Sequence, residues 1–157
     1  MSAYSFAGGN PTPAASVTLT NTAFFPDIKT DDFVTLYRIP SEIDTLIIQH
    51  QLKHAMSRVN RSLKSWRSTQ QNDGNATLAA VPADEIGGES ELLQQYLRAV
   101  YCEAKAELLK ETETVDRRAT AENYAKAGEE TEDKYREFAA QEIRAIVGLN
   151  RVGVNLI

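Results

Sequence analysis

The sequence has few of the residues that several classes of protein depend on. It contains one cysteine, Cys102, among 157 residues, which excludes an intramolecular disulfide and a cysteine-rich zinc module. Cys102 falls in the middle of an apolar helical pattern, so we predict a buried and unreactive thiol. No segment has the roughly 18 uninterrupted apolar residues that a membrane-spanning helix needs, and no signal peptide is recognisable. We therefore expect a protein made in the cytoplasm that does not contact membranes.

The chain also lacks the excess of basic residues that is typical of nucleic-acid-binding proteins. It has 17 lysines and arginines against 22 aspartates and glutamates, which gives a formal net charge of −5. This balance argues against non-specific nucleic-acid binding by the chain as a whole. Apolar residues make up 42% of the sequence, which is enough for one soluble domain with a modest core.

Motifs of the common enzyme classes are missing: there is no phosphate loop, nucleophile elbow or dinucleotide fingerprint. His50 and His54 have the i, i+4 spacing that can hold a metal ion, but Gln51 stands where His-Glu-x-x-His metalloproteases carry their general base. Exposed helical histidines are the favoured interpretation, and a metal-dependent enzyme is the least favoured hypothesis. We predict no catalytic residue, no metal site and no cofactor.

Acidic side chains between residues 84 and 142 alternate with lysine and arginine at helical spacing. Such i, i+4 pairs are typical of solvated helix surfaces rather than of two carboxylates paired for acid–base catalysis. The same pattern assigns Glu103, Lys105 and Glu107 to the solvated side of their helix.

Hydrophobic periodicity predicts an all-α fold, a small bundle of three long helices plus a short N-terminal helix, with extended N- and C-terminal arms. The short helix is predicted to start at an N-cap, Thr30, and to stop near Arg38 because Pro40 follows. The first long helix is predicted to follow a second N-cap, Ser41, and to give way to a polar loop over residues 68–75.

The second long helix is the most apolar, and we predict that it lies at the centre of the bundle. A Gly87-Gly88 turn leads into it, and its pattern ends near residues 111–114. The third long helix is predicted to begin near residues 115–120 and to end at Gly148.

The sequence predicts an extended arm at each end of a helical domain at residues 24–150. Residues 1–23 carry no charged side chain and too little apolar content to fold alone, which predicts a flexible or partner-ordered arm. Within this arm, Val17, Leu19 and Thr20 could add a strand to a neighbouring molecule. Residues 151–157 alternate with period 2, which predicts an extended C-terminal arm that needs a partner edge.

Several apolar residues near the two arms are candidates for contact with a partner. Phe24 and Phe25 follow the N-terminal arm directly, and exposing two adjacent phenylalanines to water is costly. They pack either on the helical core, which is the favoured alternative, or on a partner. The full set of candidate contacts to another protein or a neighbouring copy is Phe24, Phe25, Val152, Val154, Leu156 and Ile157.

The first long helix is predicted to carry a basic face. Residues 42–70 contain five basic and two acidic side chains, a balance of +3, whereas residues 84–150 contain nine basic and sixteen acidic ones, a balance of −7. Three interpretations are open: a solvated face, a head-to-tail contact between copies of the chain, or a contact with a phosphate backbone. The one aromatic residue among these charges, Trp66, belongs to the apolar face of the helix, so the charges are not interleaved with aromatic side chains as a nucleic-acid stacking groove would require. The face consists of Lys53, Arg58, Arg61, Lys64 and Arg67.

Three segments together resemble the head-completion (GPL) family of tailed bacteriophages. They are Phe-Phe-Pro-Asp-Ile at residues 24–28, Val-Pro-Ala-Asp-Glu-Ile-Gly-Gly-Glu-Ser at residues 81–90, and Tyr-Leu-Arg-Ala-Val at residues 96–100. The similarity extends over residues 24–147. The resemblance implies a structural virion protein, an adaptor of the head-to-tail connector, rather than an enzyme.

The resemblance also implies partners. It implies a subunit that binds the portal protein after DNA packaging, forms a ring with copies of itself (expected to be a dodecamer), stabilises the filled head and provides the surface for tail attachment. A tail-terminator or neck protein would then bind below it, and packaged DNA would pass through the lumen without specific binding. The alternative is a cytosolic helical module for protein–protein interaction without enzymatic activity.

Overall fold

The computed structural model describes residues 16–116 and 132–148, and within them the chain is mostly helical. The helices are α1 (Thr30–Leu36), α2 (Thr45–Ser62), α3 (Lys64–Asn72), α4 (Glu91–Asp116) and α5 (Glu132–Val147), with one 3-10 turn at Leu78–Ala80. The strands are β1 (Thr18–Leu19) paired with β2 (Ile28–Lys29), and β3 (Glu85–Ile86) paired with β4 (Glu89–Ser90). The all-α prediction is confirmed in outline, and the two short antiparallel ladders were not predicted.

Helix α4 is the centre of the fold, as its broad apolar surface indicated. It packs against both α2 and α5. Tyr96, Val100 and Ala104 on α4 are fully buried, as are Leu52 and Val59 on the facing side of α2. Fully burying a side chain of the size of valine or leucine contributes about 1.5–3 kcal/mol, so these contacts are the main source of stability.

The first long helix begins later than predicted and is divided in two. Asp44, not Ser41, is its N-cap: the Asp44 Oδ1 accepts a hydrogen bond of 2.7 Å from the Leu46 backbone N–H. Leu63 separates α2 from α3, with a ψ angle of 3° that departs from α-helical geometry. Its side chain is nevertheless fully buried, and its carbonyl accepts from the Arg67 N–H at 2.8 Å. The buried Leu63 side chain therefore holds the junction of α2 and α3 against the core.

The polar loop predicted from residue 68 is wrong for residues 68–72, which belong to α3. The hydroxyls of Ser68 and Thr69 donate to the carbonyls four residues earlier, at 3.0 and 3.3 Å. This local bonding satisfies the polar side chains without leaving the helix. The helix ends at Asn72, followed by Gly74 in a left-handed conformation with φ of 94°.

The N-terminal segment folds on the chain's own core rather than on a neighbour, at least from residue 16 onward. β1 pairs with β2 in the antiparallel sense, and Leu19 is buried. Thr30 is not an N-cap, because its hydroxyl accepts from the Val17 N–H at 3.1 Å and its own N–H donates to the Val17 carbonyl at 3.0 Å. The strand that was expected to pair with another molecule therefore pairs with β2 of the same chain. Residues 1–15 of the predicted arm lie outside the described residues.

The C-terminal helix is described from Glu132, so the predicted start near residues 115–120 lies outside the described residues. Its end at Gly148 is confirmed: Gly148 has φ of 79° and its N–H donates to the Ala145 carbonyl at 3.0 Å. The arm predicted at residues 151–157 also lies outside the described residues. No helix in the described part of the chain is long and apolar enough to cross a membrane.

Candidate interaction surfaces

Phe24 and Phe25 are core residues, which corrects their inclusion among the candidate contacts to a partner. Their exposed fractions are only 3% and 4%. Phe25 stacks on Tyr96 of α4 with ring centroids 4.6 Å apart, and Phe24 meets Trp66 of α3 edge-on at 6.2 Å. Pro26 and Asp27 turn the chain here, because the Asp27 carboxylate accepts a 2.8 Å hydrogen bond from the backbone N–H at residue 21.

A polar network fastens this turn to the helices beneath it. The Tyr96 hydroxyl donates to the Asn60 side-chain oxygen and accepts from the Asn21 amide, both at 2.7 Å. The Asn60 amide in turn donates to the Asn21 side-chain oxygen at 2.9 Å. Burial raises the pKa of Tyr96 well above its usual range, so the hydroxyl remains a donor. The three residues are distant in sequence, and no sequence pattern indicated that they meet.

The predicted basic face contains two different environments. Arg58 on α2 forms ion pairs with Glu103 and Glu107 on α4. Arg136 on α5 contacts the same two carboxylates at 3.1 and 2.9 Å and also pairs with Glu132 at 2.8 Å. We call these five residues the ion cluster. Arg58 is therefore engaged within the chain.

The ion cluster corrects the assignment of its carboxylates to the solvated side. The side chains of Glu103 and Glu107 are only 13% and 23% exposed. Partial burial disfavours ionisation of Glu107, but the hydrogen bond and charge of Arg136, together with the charge of Arg58, outweigh it and hold the pKa of Glu107 below its ordinary value. The sequence placed these residues outside because helical spacing does not show which helix packs over them.

Lys105 is likewise buried rather than solvated, with an exposed fraction of 6%. Its ammonium group donates to the Tyr37 carbonyl at 3.2 Å, close to the C-terminal end of α1, and lies 6.0 Å from the centre of the Tyr135 ring. A cation near a helix C-terminus is favourable for the helix dipole. Lys105 therefore has a structural role at the contact of α1, α4 and α5.

The other four cations of the predicted face line an open groove of about 630 Å³ on α2 and α3. We call it the basic groove. Within the described residues, none of the four forms an ion pair. The Arg67 Nε is a buried donor with no acceptor among the described residues. The groove is lined by Lys53, Arg61, Lys64 and Arg67 together with Thr20, Asn21, Thr22, Met56, Ser57 and Asn60.

An acidic hairpin projects at the start of α4. β3 and β4 are joined by Gly87 and Gly88, whose φ angles of 66° and 84° suit the tight two-residue turn that the sequence indicated. Within the described residues, the hairpin's exposed carboxylates form no ion pair. Ile86 beside the turn is 57% exposed. The exposed carboxylates are Asp84, Glu85 and Glu89.

The hairpin is held to the bundle by two hydrogen bonds. The Gln94 side-chain amide donates to the Ile86 carbonyl at 2.9 Å, and the Glu91 N–H donates to the Asp84 carbonyl at 2.9 Å. The segment therefore has a fixed shape although almost none of its side-chain surface is buried. An ordered segment that contributes little to the core is suited to contact another molecule.

The other candidate sites have ordinary structural explanations. The imidazoles of His50 and His54 hydrogen-bond to each other, with their Nε2 atoms 3.2 Å apart. Across residues 16–116 and 132–148, no three His, Cys, Asp or Glu side chains are grouped to hold a metal ion. Cys102 is buried as predicted, and burial raises the pKa of its thiol, whose sulfur lies 3.5 Å from the Tyr37 hydroxyl. The remaining predicted contacts, Val152, Val154, Leu156 and Ile157, lie outside the described residues.

These features define a compact helical protein whose prominent described surfaces are a basic groove and an acidic hairpin. Residues 19–157 match the sequence model of the family described as phage head completion protein (GPL). A curated relative, the head completion/stabilization protein of Escherichia phage P2, is 32% identical over 125 residues, which are 79% of this chain and 74% of the relative. No solved structure matches the chain.

The chain therefore belongs to the phage head completion protein (GPL) family. This confirms the family that the three sequence segments indicated. Membership gives the chain a structural role in the virion, in completing the phage head, and the family is one of structural proteins rather than enzymes.

Proposed function

We propose that this chain is the adaptor subunit of the head-to-tail connector. After DNA packaging it binds the portal vertex and forms a ring with copies of itself, expected to be a dodecamer. The ring stabilises the filled head and presents the surface to which the tail attaches, through a tail-terminator or neck protein. The name of the phage P2 relative, a head completion/stabilization protein, supports this function.

The observation that carries the ring proposal is the separation of charge on one folded chain. The basic groove holds four cations without ion-pair partners in the described residues, and the acidic hairpin holds exposed carboxylates on α4's side of the fold. A surface of each sign on one molecule allows each copy to bind the next in the same orientation. Such head-to-tail contacts close into a ring when the rotation between copies permits.

The net charge of −5 suits a ring around a DNA channel. Phosphates are repelled by a surface of their own sign, so DNA would pass through the lumen without specific binding. For contact with the portal protein we retain the C-terminal arm, Val152 to Ile157, from the candidates in the sequence. Phe24 and Phe25 are no longer candidates because they are buried in the core.

Binding to purified heads tests this function. DNA-filled, portal-containing heads made without this protein would be mixed with the purified full chain, and bound protein and nuclease-resistant DNA would be measured after sedimentation. We expect the chain to sediment with the heads and to increase the amount of protected DNA. A chain that never binds such heads, and instead forms a stable dimer on its own, would contradict the proposal and favour a cytosolic interaction module. Empty heads without portal serve as the control.

A further inference from the structure

The basic groove is built as a binding surface for an anionic partner. Its four cations, Lys53, Arg61, Lys64 and Arg67, come from two successive helices that turn at Leu63. The neighbouring asparagine amides are already used in the Tyr96 network, so the charged side chains are the groove's principal free donors. Four cations around one groove attract an anionic partner.

The acidic hairpin has the complementary properties. It presents three exposed carboxylates, Asp84, Glu85 and Glu89, around one exposed apolar side chain, Ile86. Its two-residue turn and its hydrogen bonds to α4 fix its shape before any partner binds. A preorganised segment loses little conformational entropy on binding, which favours a specific contact.

We propose that the acidic hairpin of one copy docks in the basic groove of the next copy in the ring. This inference rests on the proposed function, because it assigns the two faces of the contact between subunits. Arg61 and Lys64 lie at the turn between α2 and α3, and we pair them with Glu85 and Glu89. The contact is head-to-tail, since each copy uses its hairpin on one neighbour and its groove on the other.

A DNA phosphate backbone is the competing occupant, and the observations favour the hairpin. None of the residues that line the groove is aromatic, so the stacking surface that single-stranded nucleic acid uses is missing. The chain as a whole is acidic, with a net charge of −5. The hairpin supplies exposed carboxylates on the same protein, which complement the cations of the groove.

Charge reversal at both faces provides the decisive test in the head-binding experiment. The groove variant carries R61E and K64E, the hairpin variant carries E85K and E89K, and the combined variant carries all four substitutions. We expect each two-site variant to reduce the number of copies bound per head by about tenfold or more, because like charges then face each other. The combined variant restores opposite charges at every contact and should recover most of the binding.

The matched control is R144E, a charge reversal at an exposed arginine in the last turn of α5 that is part of neither the basic groove nor the acidic hairpin. It should bind heads as the unmodified chain does. Thermal unfolding of each variant checks the fold, and the recovery in the combined variant separates a lost contact from a damaged fold. If the unmodified chain binds heads and the two-site variants bind equally well, the hairpin–groove contact is wrong while the proposed function stands. If the unmodified chain does not bind, the proposed function fails.

A cysteine pair tests the contact geometry directly. Full-length K64C and E89C chains are mixed on filled heads and oxidised, with the buried Cys102 left in place. A disulfide-linked dimer that forms in the mixture and not with either variant alone supports the contact. A third measurement addresses the competing occupant: if the groove variant loses affinity for linear duplex DNA and the combined variant does not recover head binding, the groove binds phosphates and the proposal is overturned.

Discussion

Arg58 and Arg61 lie one helical turn apart on α2, yet they belong to two regions with different roles. Arg58 faces α4 and enters the ion cluster with Glu103, Glu107 and Arg136. Arg61 borders the ion cluster but also lines the basic groove, and it forms no ion pair with the described residues. A uniform basic face in the sequence therefore divides into a part that joins helices and a part that is open to a partner.

The two regions also differ in what they contribute to stability. The α2–α4 contact combines buried aromatic rings, the Asn21–Tyr96–Asn60 network and the ion cluster. Three of the four cations in the groove are exposed, and exposed charges typically contribute only about 0–1 kcal/mol each even when they are paired. We therefore expect substitutions at the contact to change folding and substitutions in the groove to change assembly alone.

The largest effect on folding is expected for F25A. Phe25 is 4% exposed and stacks on Tyr96, so its removal leaves a cavity where the N-terminal turn meets α4. We expect the free energy of unfolding to fall by about 3–5 kcal/mol, measured by urea denaturation. A loss below about 1 kcal/mol would mean that the turn is not part of the core and that Phe25 is again available to a partner.

A smaller loss is expected for Y96F, which removes only the hydroxyl of the polar network. Asn21 and Asn60 then each lose a buried hydrogen bond, while the stacking on Phe25 is retained. We expect Y96F to lower the free energy of unfolding by about 1–3 kcal/mol. Y101F is the matched control: burial raises the pKa of Tyr101 to about 12, but its hydroxyl forms no hydrogen bond with the described residues. Equal losses in the two variants would show that the network does not hold the turn.

The ion cluster predicts a dependence of stability on pH. The folded pKa of Glu107 lies below its ordinary value of 4.5, so its ionised form stabilises the folded state. This contribution is complete above the unfolded pKa and is lost as the pH falls through the folded pKa. E107Q should therefore lower the free energy of unfolding by on the order of 1 kcal/mol at neutral pH, and by progressively less below pH 4.5. E89Q, at an exposed carboxylate of the hairpin that forms no ion pair with the described residues, is the matched control at neutral pH and should change the free energy of unfolding by less than about 0.5 kcal/mol.

The smallest effect on folding is expected for K64Q in the basic groove. Lys64 is exposed and forms no ion pair with the described residues, so the free energy of unfolding should change by less than about 0.5 kcal/mol. Binding to filled heads should nevertheless weaken. Urea denaturation of K64Q and F25A in parallel checks the expected stability. If K64Q is clearly destabilised, the distinction between the two regions is wrong.

The sequence indicated more about the helices than about the surfaces. The apolar pattern correctly placed α4 at the centre, and the paired glycines correctly marked the turn at Gly87 and Gly88. The prediction of Ser41 as the N-cap was wrong because Asp44 offers a stronger acceptor three residues later. The prediction of a loop from Ser68 was wrong because the Ser68 hydroxyl hydrogen-bonds to the preceding turn, which keeps this polar residue helical.

The basic face shows the limit of prediction for the candidate site. Helical periodicity placed Arg58 and Arg61 on the same side of one helix, but their environments depend on residues about 45 and more positions away. The same holds for Asn21, which meets Tyr96 across 75 positions. These contacts arise from the packing of α2 on α4, which a local pattern does not contain.

Electron cryomicroscopy of complete phage particles, focused on the vertex below the portal, tests the central claim most directly. We predict a ring of this chain in which the hairpin of each copy, residues 84–90, occupies the basic groove of its neighbour, while Arg58 remains within the ion cluster. A ring whose groove faces the DNA channel or the solvent, or a vertex that lacks the chain, would contradict the account.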